Sequence, residues 1–181
     1  DARRGISTQV LLQLAAALPF PGALGPADVA DLAFPIVGAS VREDSAVDFS
    51  SVVRCKTLAL LAPGGRRCAV LPAAARLRAL GGAKLAPTQR LVELFGFPRG
   101  ALGPIGPQAA VLVDSALAGR TLALGCGDPA RSLVVEADAL VEFLSCGYVD
   151  LAASSLPPEA LPALLPYLSA SELASVATVA Q

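Results

Sequence analysis

Between Phe95 and Gly106 the chain reads FGFPRGALGPIG, four glycines and two prolines in twelve residues. Such a stretch cannot be the interior of a helix or a regular strand, because glycine gives up too much backbone entropy and proline brings no N–H donor. Yet Phe95, Phe97, Leu102 and Ile105 are interleaved with the glycines, so this is no solvated linker. A loop both stiff and apolar lies against a core and shows its backbone to something. Gly100 to Pro104 has the form G-x-x-x-P, and successive N–H groups there can converge on a carbonyl or an anion. A tight structural turn is the alternative reading of the same residues.

The loop needs a core to lie against. With 181 residues and 54% hydrophobic content, the chain can supply one for a single domain with terminal extensions. No apolar run approaches the roughly 18 residues of a membrane helix, so the chain reads as soluble, with no membrane partner. A net charge of −1 excludes sequence-independent duplex binding, which needs a basic surface. An aromatic content of 4% argues against base-stacking platforms. Any RNA contact is then an end held in a pocket. There is no His, and Cys55, Cys68, Cys126 and Cys146 show no C-x-x-C spacing, which excludes a conventional zinc site and a His-based triad. No cofactor is called for. Three of these cysteines sit in apolar stretches and read as reduced core thiols, placing the chain in a reducing compartment such as the cytoplasm or an organelle matrix. The absence of Met, initiator included, is expected of a processed product or a piece of a longer chain.

Local patterns order the remainder. Thr8 can cap an amphipathic helix carrying Val10, Leu11, Leu14 and Leu18, stopped by Pro19, and Pro26 can start a short helix through Leu32. Residues 51–61 form the clearest strand: Val52, Arg54, Lys56, Leu58 and Leu60 share one face, and Val53, Cys55, Thr57 and Ala59 the other. Lys56, one of two lysines, must therefore be paired, point into a polar cavity, or reach to water from the strand end. Ala62 to Gly65 is a hairpin turn and Arg66–Leu71 its returning strand. Residues 72–80 read as a helix stopped by Gly81-Gly82, 83–86 as a short strand, and Pro87-Thr88 as the start of a helix ending at Gly96. Strands follow over 109–113, 120–124 and 132–136, then a helix over 138–146 capped by Gly147, and a return to the sheet over 148–151. In the tail, Pro157 to Glu159 can open a helix that Pro162 and Pro166 interrupt, and residues 169–172 form a capping-box pattern. The tail packs on its own domain or docks a partner.

Taken in order, these motifs resemble the YbaK-like, prolyl-tRNA-synthetase-associated editing domains, whose signature loop is T-G-[YF]-x-x-G-G-x-S-P-[FI]-G. Gly96, Phe97, Arg99, Gly100, Pro104, Ile105 and Gly106 match it; Ala101 stands for the second Gly and Gly103 for the Ser. Lys56 in Cys55-Lys56-Thr57-Leu58 is similar to the family's strand lysine, and Leu71-Pro72, Ala86-Pro87, Val111–Asp114 and Asp138–Leu140 fall in family order. The resemblance spans about residues 50–152. It implies an α/β (mixed α+β) single domain, with a central mixed, largely antiparallel sheet surrounded by short helices. Residues 1–49 are then a helical N-terminal extension and poorly aligned wall, 50–152 the editing core and 153–181 a helical tail.

The resemblance also implies an activity: hydrolysis of the ester of mischarged tRNA, with tRNA(Pro) carrying Cys or Ala as the common family target. A hydroxyl of the terminal ribose assists the attacking water. The partner is the aminoacylated terminal adenosine of the tRNA acceptor end, and a protein partner or parent chain can attach through the terminal extensions. On this reading Lys56 is the catalytic cation. Gly100, Ala101, Leu102 and Gly103 present backbone to the substrate, Pro104 sets the loop's shape, and Gly125, Gly127 and Asp128 line the opposite wall. Where relatives place a His in that second loop, this chain has Pro129 and Ala130. The alternative is an inactive editing-like module that serves as a binding or scaffold subunit.

Overall fold

The computed structural model describes residues 22–153. The expected helix over residues 8–18 and the tail patterns of 157–172 lie outside the described residues. Eight strands form one mixed sheet in the order β1-β7-β6-β2-β3-β5-β8, with β4 pairing β2 off that path. The strands are β1 (Ser40–Glu43), β2 (Val53–Ala62), β3 (Gly65–Pro72), β4 (Lys84–Leu85), β5 (Ala110–Asp114), β6 (Thr121–Leu124), β7 (Arg131–Glu136) and β8 (Tyr148–Val149). Among the described residues three short α-helices accompany them: α1 (Pro26–Ala33), α2 (Leu91–Phe95) and α3 (Ala137–Phe143). β1–β7, β7–β6, β2–β3 and β2–β4 are antiparallel; β2–β6, β3–β5 and β5–β8 are parallel.

The organising strand is β2. Val53 and Arg54 pair with Leu122 and Ala123 of β6, while Leu60 and Leu61 at its far end pair with Leu85 and Lys84 of β4. Along its other edge it pairs with β3 from Cys55 to Ala62 through a two-residue turn at Pro63-Gly64. Its alternation sorts two cores. Ala59, with Val53, Cys55 and Leu61 beside it, joins the main cluster of Phe95, Phe97, Leu102, Leu122 and Leu140; Leu60 and Leu58 join a smaller one with Leu71, Leu77, Leu80 and Leu151. This is period-two burial on both faces of one sheet.

Two local readings change. Residues 72–80 are not helical. Ala73 N–H donates to Arg54 O (2.9 Å), Arg78 N–H to Leu151 O (2.9 Å), and Leu77 bridges Ala152. Sheet-edge pairing and the burial of Leu77 and Leu80 outweigh a helix propensity worth only tenths of a kcal/mol per residue. The last helix stops at Phe143 rather than Cys146, and Ser145, not Gly147, takes the left-handed conformation (φ 50). β1 was not read from the sequence; its four residues alternate weakly and find their place only against Leu133 and Val134 of β7.

Candidate functional site

Gly96 ends α2 in the left-handed region (φ 76), where a residue without a Cβ is favoured, and Phe97 turns the chain into the main core. Pro98 to Ala101 then form a tight turn. Ala101 N–H donates to Pro98 O (3.3 Å), and Gly100 takes φ +83 at the third position, as a type II turn requires. Ala101 itself has no positive φ, so its methyl brings no backbone strain.

The loop is tied to the second glycine loop by direct backbone packing. Gly127 N–H donates to Ala101 O (2.9 Å). A Cβ built on Gly103 would lie 1.9 Å from Gly125 O, and one on Gly125 would lie 2.2 Å from Leu102 O. Gly127 (φ +92) is equally closed, with Leu24 O 2.1 Å from its Cβ position. The Ser that the signature places at the Gly103 position therefore has no room here. Ala101, Leu102, Gly103 and Pro104 are buried, leaving Arg99 and Gly100 exposed. The five loop residues expected to face a substrate divide accordingly. Gly100 lines a polar hollow, Ala101 to Gly103 pack against the second loop, and Pro104 lines an apolar cavity of about 500 Å³ with Leu32, Val111 and Phe143.

That polar hollow, about 110 Å³, is lined by Gly100, Gly125 and Asp128 together with Asp44, Arg54 and Ser132. Arg54 Nη1 sits 3.0 Å from Asp44 Oδ2 and its guanidinium lies 3.9 Å from the centroid of the Phe49 ring. Ser132 Oγ donates to Asp44 Oδ1 (2.6 Å). Asp128 closes its own loop by accepting Ala130 N–H (2.8 Å). Cys55 also borders the hollow, but burial pushes its thiol up to about 12, so it stays protonated and is no nucleophile near neutrality.

Lys56 is not among the residues lining this hollow. It lines a cleft of about 380 Å³ with Leu58, Leu60, Leu77 and Leu80, also bordered by Arg76 and Arg78. Arg54 is the cation brought to Gly100, and Lys56 follows two residues on, about 7 Å along the same face. On the opposite face of the strand Thr57 Oγ1 is buried without a hydrogen-bond partner among the described residues. The sequence reading missed Asp44, Arg54 and Ser132. Arg54 carried a signal, since it shares the face of Lys56; Asp44 sits in a stretch with no motif, and Ser132 inside an apolar strand.

Among the described residues no helix is long and apolar enough to cross a membrane. No curated protein matches the chain. Two solved structures are similar. One, a candidate trans-editing enzyme for prolyl tRNA synthetase, is 17% identical with a TM-score of 0.59 over 70% of this chain and 95% of that one. The other, a hypothetical protein, is 26% identical with a TM-score of 0.52 over 69% and 83%. The first likeness establishes the shared fold. Residues 50–143, which carry β2, both glycine loops and the last helix, match the aminoacyl-tRNA editing domain model along their length. That match takes in more than half of the 181 residues, and with it the chain belongs to the aminoacyl-tRNA editing domain family.

Proposed function

We propose that this chain is an aminoacyl-tRNA deacylase that hydrolyses the ester of mischarged tRNA, with tRNA(Pro) carrying Ala or Cys as its substrate class. The observation that carries this reading is a pair of spaces lined by consecutive stretches of β2. One is a polar hollow of about 110 Å³ at Gly100 and Arg54, and the other a cleft of about 380 Å³ at Lys56. The first suits a small aminoacyl group; the second falls in the usual range of ligand sites and suits a terminal nucleoside.

In this reading water attacks the ester carbonyl carbon, oriented by the free hydroxyl of the terminal ribose. The carbon–oxygen bond to the other ribose oxygen breaks, releasing the amino acid and restoring the tRNA hydroxyl. The N–H of Gly100, which has no acceptor among the described residues, faces the developing oxyanion. Arg54, held by Asp44, adds positive charge beside it, and Asp44 is in turn fixed by Ser132. Lys56 holds a phosphate oxygen of the terminal nucleotide. Gly125, Gly127 and Asp128 shape the wall. With no His in the chain, orientation and electrostatics carry the rate, not a protein base.

The test is deacylation of Ala-tRNA(Pro) and Cys-tRNA(Pro) by the wild type, Arg54→Ala and Lys56→Ala. The expected result is turnover that falls on the order of 100-fold in Arg54→Ala, with the Lys56→Ala loss concentrated in KM. Absence of turnover by the wild type on any mischarged tRNA overturns the reading. One observation favours a second reading, a non-catalytic binding module: the burial of Ala101 to Gly103 leaves Gly100 alone to offer its backbone. Binding of charged tRNA without hydrolysis would select it.

A further inference from the structure

The polar hollow holds one charge that the fold leaves unanswered. Of the charged side chains lining it, Arg54 pairs with Asp44 (3.0 Å), whose other carboxylate oxygen accepts Ser132 Oγ–H (2.6 Å). Arg131 pairs with Glu43 (2.6 Å) across the β1–β7 ladder. Asp128 is what remains. Its Oδ1 accepts the N–H of Ala130 (2.8 Å), and among the described residues no cation forms an ion pair with it. The residue is half-buried, although Pro129 and Ala130 beside it are exposed. A carboxylate partly withdrawn from water is costly without a counter-charge.

Backbone packing fixes where this charge stands. Gly127 N–H donates to Ala101 O (2.9 Å). Asp128 follows Gly127 directly and Gly100 directly precedes Ala101, so both lie one residue from that hydrogen bond and both line the same space of about 110 Å³. The clasp cannot loosen easily, because Gly127 has φ +92 and its Cβ position lies 2.1 Å from Leu24 O. Gly100 offers an N–H without an acceptor among the described residues, and Asp128 a carboxylate without a cation. A single small ligand that satisfies both carries an oxygen and a cation close together. An α-aminoacyl ester does so, with its carbonyl carbon and α-nitrogen about 2.5 Å apart across one carbon.

We propose that Asp128 binds the α-ammonium of the aminoacyl group, which makes the site selective for esters of α-amino acids over those of the matching α-hydroxy acids. The proposal rests on the deacylase reading for the identity of the ester and adds to it the group that recognises the amine. Asp44 cannot take this role, since both its oxygens are engaged. With the ammonium on Asp128, the carbonyl oxygen is directed toward Gly100, so one ion pair supplies both selection and orientation.

The test compares alanyl-tRNA(Pro) with lactyl-tRNA(Pro), which differ by an ammonium replaced with a hydroxyl of nearly the same size. The proteins are the full-chain wild type and Asp128→Asn, which removes the charge and keeps the Oδ1 acceptor for Ala130 N–H. For each protein kcat/KM on the alanyl ester is divided by that on the lactyl ester. Dividing the wild-type ratio by the variant's then cancels the different intrinsic lability of the two esters. The expected quotient is on the order of 10- to 100-fold, the scale of a charge-assisted hydrogen bond. A quotient of one overturns the proposal and leaves the deacylase reading standing, because a purely structural role for Asp128 lowers both esters alike. No wild-type turnover of either ester overturns the deacylase reading instead. Calorimetric binding of alanine and lactate, each amide-linked to 3′-amino-3′-deoxyadenosine, then decides the proposal. Tighter wild-type binding of the alanyl compound, lost in Asp128→Asn, upholds it; equal affinity, or no binding of either, overturns it.

Discussion

Gly103 and Gly125 meet backbone to backbone: the position a Cβ would take on Gly103 lies 1.9 Å from the Gly125 carbonyl oxygen. Neither residue needs a left-handed φ, so what demands glycine is space alone. Gly100 is the reverse case, with φ +83 and nothing within 4 Å of its Cβ position. Restoring the signature serine, Gly103→Ser, is therefore expected to destabilise by about 1–3 kcal/mol through overpacking. Gly100→Ala should cost about 1 kcal/mol through backbone strain alone. Urea unfolding of both variants measures this; a Gly103→Ser protein as stable as the wild type would mean the loops are free to part.

Asp114 is the buried carboxylate that fastens the C-terminal end of the described chain. Its Oδ2 accepts the N–H groups of Leu151 (3.0 Å) and Ala152 (2.8 Å), and its Oδ1 that of Ala116 (2.8 Å). Asp114→Ala leaves these donors without an acceptor, at a cost of about 3 kcal/mol. Half-buried Asp128, whose carboxylate accepts one local N–H, should cost less than about 1 kcal/mol as Asp128→Ala. Thermal melts of the two variants distinguish a structural carboxylate from one at the rim of the site.

Arg54 is half-exposed, and surface ion pairs contribute little to folding. Arg54→Ala is expected to shift stability by under about 1 kcal/mol while deacylation falls on the order of 100-fold. Equal deacylation by variant and wild type, with charged tRNA as substrate, would remove the guanidinium from the chemistry.

Cys55 and Cys68 set an alkaline limit. Burial pushes each thiol from an ordinary 9.0 up to about 12. The folded state holds these protons more tightly than the unfolded chain, so the stability they contribute is fully present below pH 9 and is lost as pH rises toward 12. The slope is roughly 1.4 kcal/mol per pH unit for each thiol. Melting temperatures should be flat from pH 6 to 8.5 and fall above 9. A Cys68→Ala protein should show a shallower fall.

Much of the fold was legible because its signals are local. The period-two run from Val53 to Leu61, the hairpin at Pro63-Gly64, the stop at Gly96 and the apolar strands over 110–113 and 131–136 follow from alternation and turn chemistry. The misread segment, 72–80, has helix-forming residues but spends its amides on Arg54 and Leu151, which are distant in sequence. Of the site, the two glycine loops could be picked out by composition, whereas their contact could not. Nor could a period of two say which cation reaches Gly100, since Arg54 and Lys56 share a face.

Residue order alone determined that a stiff apolar loop follows a helix stop, that one long strand carries cations on one face, and that no histidine or cysteine cluster is available for catalysis. Tertiary structure decided the rest. The parallel pairing of Arg54 with Ala123 draws the first turn of that strand to the glycine loops, and the loss of β6 as a neighbour after Arg54 leaves Lys56 in another space. The physical reason is that alternation encodes a side but not a neighbour. Which backbones touch depends on strand register and close packing between segments far apart in the chain.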